Sequence, residues 1–282
     1  MITPRAPLAD GAVGRHYDDL DRFYRDIWGE HVHHGLWTHG GETPAEAVLA
    51  LAHLVCERAG ARPGARVCDV GCGYGGTARL LAHGYGASVT ALTVSRAQYD
   101  HAVHADPHAH EPAYLLRDWL DNRLPAASFD AVIAIESTEH MADKARCMAE
   151  IARVLRPGGR AVVCAWLAAE RPTPWQLRHL LEPICREGRL PGLGSESEYR
   201  ALMTAAGLEV ERAEDLTARV RRTWPTCARG LAAGLLREPA YRRFLLSGRN
   251  GDRVFALTLF RIWRAYAVGA MRYVILTAAR PA

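Results

Sequence analysis

Lysine is almost absent from this 282-residue chain. Lys144 is the only one, so of 35 Lys and Arg residues all but one, 34, are arginine. Arginine takes the place of lysine on every kind of segment, which reads as coding bias. No strong charge excess is present either. The net charge is +4 and the pI about 8.7, and the excess is scattered. That argues against a nucleic-acid partner and tolerates a modestly anionic substrate. No CxxC occurs, and the cysteines Cys56, Cys68, Cys72, Cys147, Cys164, Cys185 and Cys227 are odd in number. Several sit in apolar strand-like runs, so a disulfide framework is not expected and reduced thiols in a cytoplasmic enzyme are. Met1 to Asp10 holds no apolar stretch, and no secretory signal is expected. The most apolar late stretch, Val254 to Thr277, is interrupted by Arg261, Arg264 and Arg272, so no membrane span is expected. Repeats and low-complexity segments are missing as well. What remains, 49% hydrophobic and 23% charged, suffices for one α/β domain with decorations or a domain with a lid.

From His16 to about Ala59 the spacing of Phe23, Ile27, Trp28, Val48, Leu51, Leu54 and Val55 predicts helix. After Pro63-Gly64 the texture turns to alternating strand and helix. Strands are predicted at Arg66–Gly71, Ser88–Thr93, Ala113–Arg117, Phe129–Ile135 and Arg160–Trp166. Helices are predicted at Gly76–His83, Ser95–His104 and Asp143–Leu155, the last stopped by Pro157-Gly158-Gly159. Such alternation implies a parallel sheet with right-handed crossovers. Residues 167–194 hold Pro172, Pro174, Pro183 and Pro191 and read as an insertion. Ser195-x-x-Glu198 is a capping box that opens a helix to about Ala206. Leu208–Leu216 is strand-like, 217–270 mostly helical, and Tyr273–Ala279 a last strand. The expected organisation is a helical cap over residues 1–60, a Rossmann-like core over 61–166, and the rest of the core over 167–282 with lid insertions at 167–194 and 217–270.

The most informative segment is Val67-Cys68-Asp69-Val70-Gly71-Cys72-Gly73-Tyr74-Gly75-Gly76. A buried strand runs into a glycine turn and then a helix, as needed where the backbone lies against a ligand. Gly71-x-Gly73-x-x-Gly76 also satisfies the dinucleotide fingerprint, so an NAD(P)-dependent oxidoreductase is the rival from another class. Two features oppose it. The second strand ends Ala91-Leu92-Thr93, without the acid that would hold the ribose hydroxyls. Asp69, two residues before the first glycine, suits a cationic group such as an amino-acid ammonium and would repel a pyrophosphate.

These residues resemble class I S-adenosylmethionine (SAM)-dependent methyltransferases. Asp69-Val-Gly71-Cys-Gly73 looks like their first motif, and Leu155-Arg-Pro157-Gly158-Gly159 like the turn before their fifth strand. Within that group the chain is most similar to the γ-tocopherol methyltransferase, sterol methyltransferase and cyclopropane-synthase-like branch. His16-Tyr17-Asp18, Ile27-Trp28-Gly29-Glu30-His31-Val32-His33-His34-Gly35, Leu92-Thr93-Val94-Ser95-x-x-Gln98 and Glu136-Ser137-x-Glu139-His140-Met141 carry that likeness. It implies a Rossmann-like fold with a seven-stranded, mostly parallel sheet flanked by helices. It also implies SAM as cofactor, with S-adenosylhomocysteine as product. By position, Gly71 and Gly73, with Cys72 between them, would pass the methionine part, and Asp69 would serve its ammonium. Thr93 and Gln98 would meet the ribose, Asp118 the adenine amino group, and Trp119 the ring. Ile135 and Glu136 would border the adenosine–sulfonium channel. Tyr17 and His33 would close over SAM.

Plainer readings compete for several residues. His31-Val-His33-His34 has the look of a metal cluster, but only Glu30 stands nearby as a further ligand, so a lid facing SAM or substrate is preferred and no metal is expected. His101, His104 and His108 share a helical face, which reads as solvated. Glu139-His140 caps a helix or works at the carboxyl end of the fourth strand, where open α/β sheets bind ligands; the second is favoured. Arg219, Arg221 and Arg222 either grip an anion or form a wet face.

Methyl transfer needs a nucleophile held in line with the sulfur at about 3 Å, exclusion of water, and a base where the acceptor must lose a proton. Glu139, assisted by His140, is the expected carboxylate. Trp28, His34, Trp166, Trp175, Tyr199 and Trp224 are the expected pocket wall. That much aromatic area favours a largely apolar small molecule, a natural-product metabolite methylated at O, N or C. An isoprenoid or prenyl diphosphate C-methyltransferase, with Mg²⁺, and a catalytically idle SAM-binding module are the alternatives. A homo-oligomer is left open.

Overall fold

The computed structural model describes residues 1–4, 8–9, 11–105, 111–246 and 255–282. His108 and part of the expected 217–270 lid, residues 247–254, lie outside the described residues.

The N-terminal segment is less helical than its periodicity predicts. α1 (Ala12–Asp19) and α2 (Asp21–Trp28) are separated at Leu20, and α3 (Pro44–Arg58) follows only after an irregular stretch. Gly29 leaves α2 at φ 72°, a conformation that favours glycine and ends the helix. α3 opens on a Thr43–Glu46 capping box with Pro44 in its first turn, a strong start signal. The core then runs β1 (Arg66–Val70), α4 (Gly76–Arg79, continued to Gly84 by a wider turn), β2 (Ser88–Thr93), α5 (Arg96–Ala105), β3 (Ala113–Leu116), β4 (Phe129–Ile135), α6 (Lys144–Val154) and β5 (Leu155–Ala168). After it come α7 (Pro174–Gln176), α8 (Glu182–Glu187), α9 (Glu196–Ala205), β6 (Glu209–Asp215), α10 (Thr217–Val220), α11 (Thr223–Arg237), α12 (Pro239–Leu246), α13 (Phe255–Ala267) and β7 (Met271–Ala279).

The sheet has seven strands in the order β3-β2-β1-β4-β5-β7-β6, and only β7 runs against its neighbours. Alternate residues feed two cores. Val67, Ala91, Ile133, Val162 and Ile275 face Leu51 and Val55 of α3, Ile184 of α8, Leu231 of α11 and Ile262 of α13. Cys68, Val70, Leu92, Val132 and Val163 face Met148 and Ile151 of α6 and Met203 of α9. Burial on both faces explains why these strands read as unbroken apolar runs. One boundary is corrected. Leu155, predicted as helix, already pairs with Phe129, and Pro157-Gly158-Gly159 lies inside β5 as an irregularity where the register jumps to Ala131–Arg160. Strand order reverses between β1 and β4, and in open α/β sheets the crevice above that point takes the ligand.

Candidate active site

Everything predicted for the cofactor depends on the turn after β1. Gly71 and Gly73 both have positive φ, 77° and 56°. A Cβ on Gly71 would collide with the Ser137 side chain, whose Oγ donates to Val70 O at 2.5 Å and locks the exit of β4 against the turn. A Cβ on Gly73 would meet nothing within 4 Å, because Gly73 faces an open cleft of about 780 Å³. Tyr17, Gly71, Gly73, Thr93, Gln98, Asp118, Trp119, Ile135, Glu136 and His140 all line that cleft.

The Thr93 hydroxyl donates to Gln98 Oε1 at 2.7 Å, a neutral pair where dinucleotide folds carry an acid. Asp118 caps the short turn Trp119–Asp121 through Leu120 N at 2.8 Å. Trp119 sits below it, its Nε1 donating to Cys147 O at 3.3 Å. The sequence reading missed how the N-terminal segment is tied down. Asp18 Oδ1 accepts from Ser95 Oγ and Ala97 N, at 2.6 and 3.0 Å, at the start of α5. A Cβ on Gly14 would lie 2.7 Å from Val94 O, so only glycine lets α1 approach the end of β2 this closely. Asp18 was visible in His16-Tyr17-Asp18, but nothing local says what it holds.

Asp69 and Cys72 are not on the cleft wall. Cys72 packs into the core. Asp69 is buried under the turn, its Oδ2 has no hydrogen-bond partner among the described residues, and burial raises its carboxyl to about 7. A partnerless buried carboxyl oxygen beneath a glycine cradle fits a ligand cation reached directly or through water, and opposes a pyrophosphate.

Behind the cleft lies a second, inner chamber of about 70 Å³. Tyr17, Val32, Glu136 and His140 wall both spaces. Glu136, at φ 53°, is saturated. Its Oε1 accepts from His34 N, His34 Nδ1 and Tyr273 Oη at 2.7, 3.0 and 2.8 Å, and its Oε2 from Trp166 Nε1 at 2.8 Å. Burial opposes its ionisation, but His34, these bonds and His33 outweigh it and hold the carboxyl at about 2. Glu136 is thus a fixed anion that joins the N-terminal segment to β5 and β7.

Glu139 is only 1% exposed, on the turn Thr138–His140. Its Oε1 accepts from Trp166 N and its Oε2 from Thr138 Oγ1. Burial pushes its carboxyl up to about 7. It does not cap α6, since Asp143 does so through Arg146 N at 2.8 Å. His140 Nδ1 donates to Arg189 O at 3.3 Å, which leaves Nε2 bare to accept the Tyr17 hydroxyl at 3.0 Å. Burial lowers His140 to about 4, so the ring is neutral at pH 7.

The sole lysine holds this turn. Lys144 Nζ, buried at 3% exposure, donates to Glu139 O and Met141 O at 3.1 and 2.8 Å. A compact ammonium with three rotatable donors fits between two carbonyls where a planar guanidinium fork would not. Lys144→Met leaves both carbonyls short of a donor, at roughly 1–3 kcal/mol. Calorimetry should therefore find a melting temperature lower by about 2–10 °C. Loss of the cation also removes a charge that lowers the Glu139 carboxyl. The acid limb of turnover should accordingly move to higher pH, and an unmoved limb would deny the coupling.

Among the expected wall residues, Trp28, His34, Trp166 and Trp224 line the inner chamber, and His33 lines it as well, not the larger cleft expected for it. Two expectations are corrected. Tyr199 is buried in the second core, where its hydroxyl reaches Thr138 Oγ1 at 3.1 Å and braces the Glu139 turn. Trp175 is 52% exposed at the first turn of α7, ring to ring with His179, and lines neither space. The histidine cluster divides its partners: His31 meets Thr77 Oγ1, His33 the His34 carbonyl, and His34 Glu136. His101 is not simply solvated, for it pairs with Glu30 and packs edge-on to Tyr74. Arg219 and Arg222 bind Thr38 Oγ1 and Gly40 O on the surface, and Arg221 is exposed.

This constellation can be compared with known proteins. The family model for mycolic acid cyclopropane synthetase matches residues 8–234. The chain belongs to that family. It is 32% identical over 274 residues to 27-O-demethylrifamycin SV methyltransferase of Amycolatopsis mediterranei, covering 95% of this chain and 97% of that one. To the chloroplastic tocopherol O-methyltransferase of Arabidopsis thaliana it is 30% identical over 292 residues, covering 95% and 82%. Among solved structures it resembles the [4+2]-cyclase SpnF, with a TM-score of 0.81 and 28% identity over 99% of this chain and 98% of that one. As a member of this family the chain is a SAM-dependent methyltransferase acting on a small molecule. No helix among the described residues is long and apolar enough to cross a membrane.

Proposed function

We propose that the enzyme methylates a hydroxyl oxygen of a largely apolar natural-product acceptor, with Glu139 and His140 removing the proton. One observation carries this reading. At the wall shared by cleft and chamber, a neutral imidazole carries an unprotonated Nε2 that accepts from the Tyr17 hydroxyl, and its sequence neighbour Glu139, on the chamber side, is a buried carboxyl poised near pH 7. A hydroxyl nucleophile needs such a base, whereas an amine near neutrality does not. Bound SAM supplies the electrophilic methyl. Residues 1–60 act as the cap that excludes water, through Asp18, Gly14 and the His34–Glu136 tie. The segments 167–194 and 217–270 act as lids over the acceptor. Seven buried, free thiols suit a reducing compartment such as the cytoplasm.

The test is transfer of an isotopically labelled methyl from SAM to hydroxylated natural products, 27-O-demethylrifamycin SV included. Carbon NMR should find the label in a methoxyl group. Label solely on nitrogen or ring carbon would overturn the oxygen assignment. Cyclisation of an acceptor without label would reassign the enzyme to the kind of chemistry named for SpnF.

A further inference from the structure

The inner chamber contains more unsatisfied polarity than proton removal requires. His33 Nδ1 donates to the His34 carbonyl at 2.9 Å, so its Nε2 is a bare acceptor. His34 Nδ1 donates to the Glu136 carboxylate at 3.0 Å, with its Nε2 on the far side of the ring. Among the described residues neither Nε2 has a partner, and the Trp224 Nε1–H has none. All three side chains line the chamber and are more than nine-tenths buried. Unpaired buried polar groups cost about 1–3 kcal/mol each, and native interiors rarely keep three at one place without something to bind.

The acceptor of His33 and the donor of Trp224 together match a hydroxyl, which donates and accepts. Size narrows it further. A chamber of about 70 Å³ exceeds the ~10–15 Å³ one water needs but is about half the ~150 Å³ of a cavity that takes benzene. A short branch fits, and a ring does not. Charge narrows it again. Among the described residues no Arg or Lys lines the chamber, while the ionised Glu136 and the carboxyls of Glu139 and Glu187 do. An anionic end would meet a buried carboxylate with no cation to offset it.

We propose that the inner chamber is a recognition subsite for a short, neutral, hydroxyl-bearing branch of the acceptor, and that it rejects a phosphorylated or diphosphorylated end. The subsite rests on the proposed function only in assuming that the acceptor enters from the SAM cleft. It replaces the prenyl diphosphate expected as one alternative.

The experiment uses the protein loaded with S-adenosylhomocysteine, with loading checked by calorimetry, so that failure of the cofactor reading is seen first. Ethylene glycol is titrated while the seven indole N–H signals are followed by ¹⁵N NMR, Trp224 being assigned from Trp224→Phe. The Trp224 signal should shift saturably, while the indoles that do not line the chamber stay put. In His33→Phe the midpoint should rise at least tenfold. Inorganic pyrophosphate with Mg²⁺ should leave the signal unmoved. Should His33→Phe fail to load, Trp224→Phe read by saturation transfer from the protein to the glycol serves instead, with the same tenfold weakening expected. Three results would overturn the proposal: saturable binding of pyrophosphate, no shift with glycol because the chamber holds only water, or unchanged glycol binding in the variants.

Discussion

Glu139→Gln is expected to lower turnover by ~10²–10⁴, the usual cost of losing a positioned base, while leaving SAM affinity intact. Gln keeps the shape and still accepts from Trp166 N, but cannot take a proton. Glu139 lies on the chamber side of the shared wall, not on the cleft, so cofactor binding should not notice. The working form is the carboxylate, and burial raises the carboxyl to about 7. Wild-type turnover should therefore climb as pH rises through 7 and then flatten, and in Glu139→Gln that limb should vanish. A small drop would indicate an amine acceptor that attacks unaided. Unchanged turnover at saturating SAM and acceptor across roughly pH 6–9 would sink the catalytic carboxylate. Circular dichroism separates chemistry from collapse, because the same carboxylate also accepts from Thr138 and Trp166.

Much of this was legible because the signals are local. Alternation of strand and helix, a glycine turn after the first strand, and the missing acid at Thr93 are each written in a few consecutive residues. Gly71, Gly73, Thr93, Gln98, Asp118, Trp119, Ile135 and Glu136, expected together from those signals, all line the cleft, whereas Cys72, expected with them, packs into the core. What escaped depends on distant partners. Glu136 reads as a channel border, yet four donors from His34, Trp166 and Tyr273 consume it; the order β4-β5-β7 brings the last two to it, and the N-terminal segment folding over the sheet brings His34. Lys144 reads as an accident of composition and turns out to hold the Glu139 turn. Trp175 and Tyr199 share the aromatic character of Trp166 and Trp224. Residue type alone cannot tell a solvent-facing helix start or a core brace from a pocket wall, because tertiary packing decides it. β5 begins early because pairing of Leu155 with Phe129 overrides the helix-stop reading of Pro157-Gly158-Gly159.

Asp69→Asn should weaken SAM binding by about ten- to a hundredfold, the roughly 1.5–3 kcal/mol of a charge-assisted hydrogen bond, and should flatten its pH dependence. The Asp69 carboxyl is raised to about 7 by burial alone, with no partner on Oδ2 among the described residues. The cation of the ligand binds the ionised form, so wild-type affinity should fall as pH drops from about 8 to 6, with proton release accompanying binding near neutrality. The free enzyme should behave in the opposite sense. A raised carboxyl binds its proton more tightly folded than unfolded, so its contribution to stability is complete below the ordinary carboxylate range near 4. It is lost as pH rises through 7. Over that window unliganded enzyme should lose stability while SAM affinity grows, and Asp69→Asn should abolish both trends together, since neither can arise without ionisation. Calorimetric titration with SAM at several pH values, beside thermal unfolding of the unliganded protein, reads the pair. Equal dissociation constants for wild type and Asp69→Asn across pH 6–8 would mean that the ammonium is held elsewhere and that Asp69 is a buried structural acid.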